Sequence, residues 1–302
     1  MVVYSFLRSD SDTQMVRVYS TYNPADNNPS NNNNEIQVSD AQVSFVQGST
    51  SYQLRDTVIE RADKSRYTSD ILLYYIAPFR PQKGKAYTLN VVSPTYGAAI
   101  SNIVIPDSGR FTLIGSDFLQ LYNPWLTSSF VARGTLAPQT AAYIVRFYLY
   151  FLTDTPQGTV EKRVEVPRKL GYFCEGPYEI YEPTYPSIVQ KSVSTNNFGV
   201  GFEANAQQIT VFNTVRFESN VRYLRAVIYL TQFDGPLYQY YTFVNQYRDR
   251  VSVQTNEAEY SNIQGGIGVF GSMTVDSTVI PLPQYISPPD RWEPGCVKRI
   301  AR

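Results

Sequence analysis

Apolar and polar positions along this chain recur with the two-residue period of half-buried strands more often than with the 3.6-residue period of helices. Residues 2–7 (Val-Val-Tyr-Ser-Phe-Leu) and 14–20, where Val16 and Val18 bracket Arg17, predict two opening strands. Strand signals resume at 41–46, 51–54 and 71–77, separated by connections rich in Gly, Ser, Asp and Lys. Over 84–92, Tyr87, Leu89 and Val91 alternate with Ala86, Thr88 and Asn90, and a short strand at 100–105 closes at Pro106. About seven short strands with turn residues between them have the rhythm of an immunoglobulin-like sandwich.

Beyond Pro106 the apolar run 142–152 (Ala-Tyr-Ile-Val-Arg-Phe-Tyr-Leu-Tyr-Phe-Leu) predicts a strand buried on much of both faces. Its partner follows directly. Residues 154–158 (Asp-Thr-Pro-Gln-Gly) make a turn, and 160–167 alternate Glu161, Arg163 and Glu165 with inward valines, as in an antiparallel hairpin. Residues 171–186 read as a Tyr-, Glu- and Pro-rich connection, and later strands are expected at 208–212, 223–230 and 267–273. One helix is expected at 234–247, with Asp234 as N-cap, Pro236 in the first turn and apolar residues at helical spacing. Residues 23–34, nearly all Asn, Asp, Ser and Pro, predict an exposed loop; they lack the glycine, the ligand alternation and the closing Glu of an EF-hand. The fold class is therefore all-β. An immunoglobulin- or transthyretin-like sandwich is expected over 1–106, followed by a larger β-rich domain over 107–302 with one short helix.

Composition narrows the chemistry. The 302 residues include no histidine, which removes imidazole general bases, Ser-His and Cys-His nucleophile pairs and imidazole metal sites. Twenty-six Lys plus Arg balance 26 Asp plus Glu, so no net basic field draws a nucleic acid or an anionic membrane. The 25 Tyr and 16 Phe suit pleated, half-buried surfaces. Cys174 and Cys296 are compatible with a disulfide, with two buried thiols or with an exposed thiol. No stretch reaches the apolar length of a membrane span, and the chain opens inside a strand without a basic segment or cleavage site, so a signal segment is expected upstream of it.

Three residue groups are candidates for function. Tyr172, Tyr178, Tyr181 and Tyr185, with Phe173, Trp125 and Trp292, supply aromatic surface for a partner or for sugar rings. Glu175 with Glu179 or Glu182, and Glu257 with Glu259, are the carboxylate pairs a glycosidase would need, at a frequency that chance supplies among 26 acids. The run 261–268 (Ser-Asn-Ile-Gln-Gly-Gly-Ile-Gly) invites a phosphate-cradle reading, but no Lys-Ser/Thr pair completes a P-loop. Gly265, Gly266 and Gly268 are expected to make a tight turn where backbones approach closely, with the Asn262 side chain bonding the turn backbone. No catalytic residue, cofactor or metal ligand is assigned.

The segments 2–7, 40–43 (Asp-Ala-Gln-Val), 84–89 (Gly-Lys-Ala-Tyr-Thr-Leu) and 104–106 (Val-Ile-Pro) resemble the N-terminal half of the DUF4249 family. Leu237-Tyr238-Gln239-Tyr240-Tyr241, followed by 260–271 (Tyr-Ser-Asn-Ile-Gln-Gly-Gly-Ile-Gly-Val-Phe-Gly), resembles its C-terminal signature, whereas 106–215 match poorly. The resemblance implies an exported, lipoprotein-like protein of Bacteroidota, held at the outer membrane by a lipid anchor that this chain does not carry, beside a TonB-dependent receptor. The expected function is that of a non-enzymatic cell-envelope accessory binding an outer-membrane protein. A carbohydrate-binding module with an aromatic platform is the alternative, and a carboxylate-based glycosidase the third reading.

Overall fold

In a computed structural model, the structure describes residues 1–21, 35–65, 67–113, 130–175, 178–246 and 260–281. The chain is all-β, and its backbone forms two compact units.

The first unit comprises Met1–Ser108, Ala137–Ala142 and Gln232–Val275. One of its sheets holds β1 (Val2–Arg8), β2 (Gln14–Tyr19), β5 (Arg55–Ile59), β6 (Ile71–Ile76) and the first part of β18 (Ile267–Pro281), in the order β18-β1-β2-β6-β5. The other holds β3 (Gln42–Gln47), β4 (Thr50–Gln53), β7 (Ala86–Ser93) and β8 (Gly97–Val104), in the order β4-β3-β7-β8. The alternation predicts these faces. Val16 and Val18 of β2 and Tyr87, Leu89 and Val91 of β7 are buried, and with Val3, Leu7, Phe45 and Phe270 they form one core between the sheets. Phe45 stacks on Phe270 from the opposite sheet with ring centroids 5.9 Å apart. The result is a β-sandwich.

Within that sandwich β1 runs parallel to β18, Val2 opposite Ile267 through Arg8 opposite Met273, so the first strand of the chain pairs with the last one described. The expected helix is present as α2 (Gly235–Gln246). Asp234 caps it, its Oδ1 accepting a bond from the Leu237 N–H at 2.9 Å.

The second unit comprises Gly109–Leu136, Tyr143–Thr231 and Asp276–Arg302. It contains β9 (Arg110–Leu113), β10 (Phe130–Thr135), most of β11 (Ala142–Thr155), β12 (Gly158–Val166), β13 (Lys169–Glu175), β14 (Tyr178–Thr184), β15 (Val189–Gln190), β16 (Asn197–Phe202), α1 (Ala204–Phe217) and most of β17 (Arg222–Phe233). Strands run in the orders β12-β11-β17 and β16-β10-β9. Phe147 of β11 meets Phe202 of β16 edge to face, in a core shared with Val145, Leu149, Phe151, Tyr223, Ile228 and Val211 of α1.

Three expectations are corrected in this unit. Residues 208–212, expected as a strand, belong to the helix α1. Its buried residues include Ala206, Gln207, Thr210, Val211 and Thr214, and each threonine hydroxyl is satisfied by the carbonyl four residues back, both at 2.7 Å. The connection at 171–186 is the hairpin β13-β14. Finally, β11 is buried on both faces only at its start, over Ala142, Tyr143, Ile144 and Val145; beyond it Phe147, Leu149 and Phe151 point inward, while Tyr148, Tyr150 and Leu152 are half-buried and Arg146 is exposed.

Candidate functional site

The second unit contains an open groove of about 480 Å³. It takes its residues from four elements. Phe151 of β11 and Val164 and Lys162 of β12 come from the inward face of the sheet, since the register sets Phe151 opposite Lys162. Thr210, Asn213, Thr214 and Phe217 come from α1, and Pro167, Leu170, Pro183 and Tyr185 from the chain around the β13-β14 hairpin.

The groove is apolar with one closed electrostatic clasp. Phe151 and Leu170 are buried, while Tyr185 is 49% exposed and Phe217, at the last position of α1, is 75% exposed. A phenylalanine ring left that open is apolar surface a partner can cover. At one end the Lys162 ammonium donates to both Glu218 oxygens, at 2.9 and 2.8 Å, and the Thr153 hydroxyl donates to the same carboxylate. These bonds, that to Lys162 first, hold Glu218 below the usual carboxylate range. The threonine hydroxyls of the wall are spent on their own helix, so the groove offers a ligand shape and apolar contact more than hydrogen-bond donors.

On the opposite face of the same sheet, Tyr148, Tyr150 and Tyr229 form a cluster with Arg163 and Arg225. The Tyr150 and Tyr229 hydroxyls share a 2.8 Å hydrogen bond. The Arg225 guanidinium lies 4.5 Å from the Tyr150 ring centroid and that of Arg163 lies 4.8 Å from the Tyr148 ring centroid. Burial and the bond to Tyr150 push Tyr229 up to about 12. For Tyr150, burial acts upward but is outweighed by the bonds from Tyr229 and Arg163, and its hydroxyl titrates below the usual tyrosine range. The glutamates of β12 are held on this face as well: Glu161 by Arg225, and Glu165 by the Tyr148 hydroxyl at 3.1 Å with Arg146 nearby. Sequence reasoning missed these residues because the strand read as buried on both sides; the alternation of Arg146, Tyr148 and Tyr150 against Val145, Phe147 and Leu149 was the available signal.

Of the aromatic group expected from sequence, Tyr185 lines the groove. The backbone register sets Tyr172 opposite Tyr181 and Tyr178 opposite Glu175. The side chains of Tyr172, Phe173, Cys174, Glu175, Tyr178, Glu179 and Tyr181 lie outside the described residues, as do Trp125, Trp292, Cys296, Glu257, Glu259 and the loop 23–34. Glu182 is exposed.

The glycine-rich segment lies in the first unit. Asn262 brackets the Phe270 backbone, and the N–H groups of Asn262, Gln264, Ile267 and Gly268 donate to Gly268 O, Ile100 O, Met1 O and Ser261 Oγ, so they are engaged within the protein. Gly265 has φ +79° and Gly268 φ +120°. A side chain on Gly265 would strike the Ala98 carbonyl oxygen, one on Gly266 the Met1 carbonyl oxygen and one on Gly268 the Val3 carbonyl oxygen. Here the turn packs backbone against backbone beside β1 and β8.

The fold and groove define an all-β protein of two compact units, one a β-sandwich and the other carrying an apolar cleft beside the outermost strand of its sheet. The chain belongs to the DUF4249 family: the family model, described as a domain of unknown function, matches residues 1–279. Comparison with curated proteins returns no match.

Proposed function

We propose that this protein is a non-enzymatic binding protein of the cell envelope, an accessory that docks on an outer-membrane partner such as a TonB-dependent receptor. The observation that carries the binding role is the groove of about 480 Å³, whose apolar lining ends in the exposed Phe217 and Tyr185 rings. Glu218 is clasped by Lys162, and Glu165, which borders the groove from the β12 edge while its carboxylate is held on the outward face by Tyr148, is engaged as well, an arrangement suited to shaping a surface and not to passing protons. The envelope setting, the lipid anchor and the receptor partner rest on the family resemblance.

The test is made in the source cells with the tagged full-length gene product, crosslinked, gently solubilised and identified by mass spectrometry with whatever accompanies it. A stoichiometric outer-membrane barrel is the expected companion. Recovery of the protein alone, together with binding on a glycan array, would replace this reading with the carbohydrate-binding one.

A further inference from the structure

We infer that β12 is a strand-accepting edge: an extended segment of the partner adds alongside it as a further strand and sends alternate side chains into the groove. This rests on the binding role proposed above and specifies its mode.

The first argument is hydrogen-bond supply. β12 closes one end of its sheet, with β11 on one side and no strand on the other among the described residues. An open strand edge presents backbone N–H and C=O groups at every second residue, so the nine residues of β12 offer about four such positions. An extended chain matches that row; a helix or a sugar ring does not.

A second argument concerns what ordinarily guards such an edge. Proteins block exposed edges with charges, prolines or bulges. β12 carries a charged run, Glu161-Lys162-Arg163, and Glu165, but each of these is drawn back onto its own unit. Glu161 is bound by Arg225, Arg163 lies over Tyr148 and donates to Tyr150, Glu165 accepts from Tyr148, and Lys162 is clasped by Glu218. The strand contains no proline until Pro167, just past its end. The charges are therefore turned to the two faces, and the backbone row lies between them.

The third argument is the groove itself. It lies on the inward side of this edge, where Val164 and Lys162 share its lining with Leu170, Phe217 and Tyr185. A strand added to β12 places its side chains alternately on the two faces. Those on the inward side enter the apolar groove, and those on the outward side meet the tyrosine and arginine cluster. Backbone bonds then supply affinity and the groove supplies specificity, the division of labour in strand-addition recognition. The occupant is accordingly a segment of a partner protein with aliphatic or aromatic side chains at every second position.

The purified full chain, isotopically labelled, is titrated with a synthetic peptide of about ten residues that alternates Thr with Leu between terminal lysines, and with a second peptide of the same composition whose leucines are grouped. Amide hydrogen exchange is followed across β12. The expected result is binding of the alternating peptide about tenfold tighter than the grouped one, with exchange at alternate β12 amides slowed about tenfold. Phe217→Glu, at an exposed position and checked for unchanged circular dichroism, is expected to weaken binding about tenfold, and Val193→Ser, fully exposed and outside the groove and the tyrosine cluster, is expected to leave the slowed exchange in place. Binding without protection of β12 overturns strand addition while leaving the binding role intact. Failure of both peptides to bind, or equal binding of the two, also overturns it. Loss of the cellular partner with peptide binding retained would instead remove the envelope reading and keep the edge.

Discussion

Asn262 holds Phe270 by both backbone groups: its Nδ2 donates to the Phe270 carbonyl oxygen at 2.7 Å, and its Oδ1 accepts from the Phe270 N–H at 2.9 Å. The primary amide thus imitates a neighbouring strand for one residue, and it does so where Phe270, fully buried, stacks on Phe45 in the sandwich core. Replacing Asn262 with Asp keeps the size but removes the donor and sets a carboxylate against a carbonyl oxygen. Stability should fall by about 1–3 kcal/mol, read from urea unfolding of the purified protein. An unchanged midpoint would mean that the turn is held by its other bonds.

Gly268 and Gly158 have the same backbone angle, φ +120°, in different surroundings. A methyl group on Gly158 meets nothing within 4 Å, whereas one on Gly268 collides with the carbonyl oxygen of Val3. The pair separates conformational strain from close approach. Gly158→Ala should cost about 1–2 kcal/mol, the strain alone. Gly268→Ala must also push β18 away from β1, and it should unfold the protein or lower its midpoint several-fold further. Equal losses would assign the requirement at Gly268 to φ and not to the parallel pairing.

How much of this was legible depends on the kind of signal each element carries. The β11-β12 hairpin was readable because Pro156, Gln157 and Gly158 mark the turn and valines alternate with charges after it; the register closes with Thr155 opposite Gly158. The helix α2 was readable from Asp234 and Pro236. By contrast α1 contains Ile209, Thr210, Val211 and Phe212, residues that favour strands, and beside Val211 it buries Ala206, Gln207, Thr210 and Thr214, small or polar residues that interrupt its hydrophobic period. The glycine turn was anticipated as a close approach, but its targets, Val3 and Ala98, belong to strands far away in sequence. The groove was the least legible feature. Tyr185 was singled out as an aromatic contact, while Phe151, Val164, Leu170 and Phe217 come together only after a helix and two hairpins have formed.

Within the groove, exposure separates residues that hold the fold from residues available to a partner. Phe151 is 3% exposed and belongs to the core of the second unit. Phe151→Ala should therefore destabilise by about 3–5 kcal/mol. Phe217→Ala, at 75% exposure, should change stability by less than about 0.5 kcal/mol. Thermal unfolding of the two variants in parallel checks the contrast. A large loss from Phe217→Ala would make that ring a packing residue and weaken its assignment to a docking surface.

Asp234 gives the first unit a pH dependence of unusual sign. Its carboxylate is 3% exposed, with Oδ1 bonded by the Leu237 N–H and Oδ2 by the Ser272 hydroxyl at 2.7 Å. Burial opposes the charged form more strongly than these two bonds favour it, and the pKa is raised from 3.8 to about 6. The folded state therefore binds a proton more tightly than the unfolded chain. The stabilisation from this group is fully present below about pH 4 and is lost as pH rises through about 6, a change of roughly 3 kcal/mol. Carboxylates such as Asp10 and Asp70, whose pKa values are lowered first of all by bonds from Arg8 and Lys64, contribute in the opposite sense and mask the effect in the native protein. Comparison with Asp234→Asn isolates it, because Asn is an equally good N-cap but does not titrate. The variant should gain on the native protein by roughly 2–3 kcal/mol between about pH 4 and pH 7.5 in urea unfolding. Parallel stability profiles for the two proteins across that interval would mean that Asp234 ionises in the folded state as freely as in the unfolded one, with α2 capped by an ordinary carboxylate.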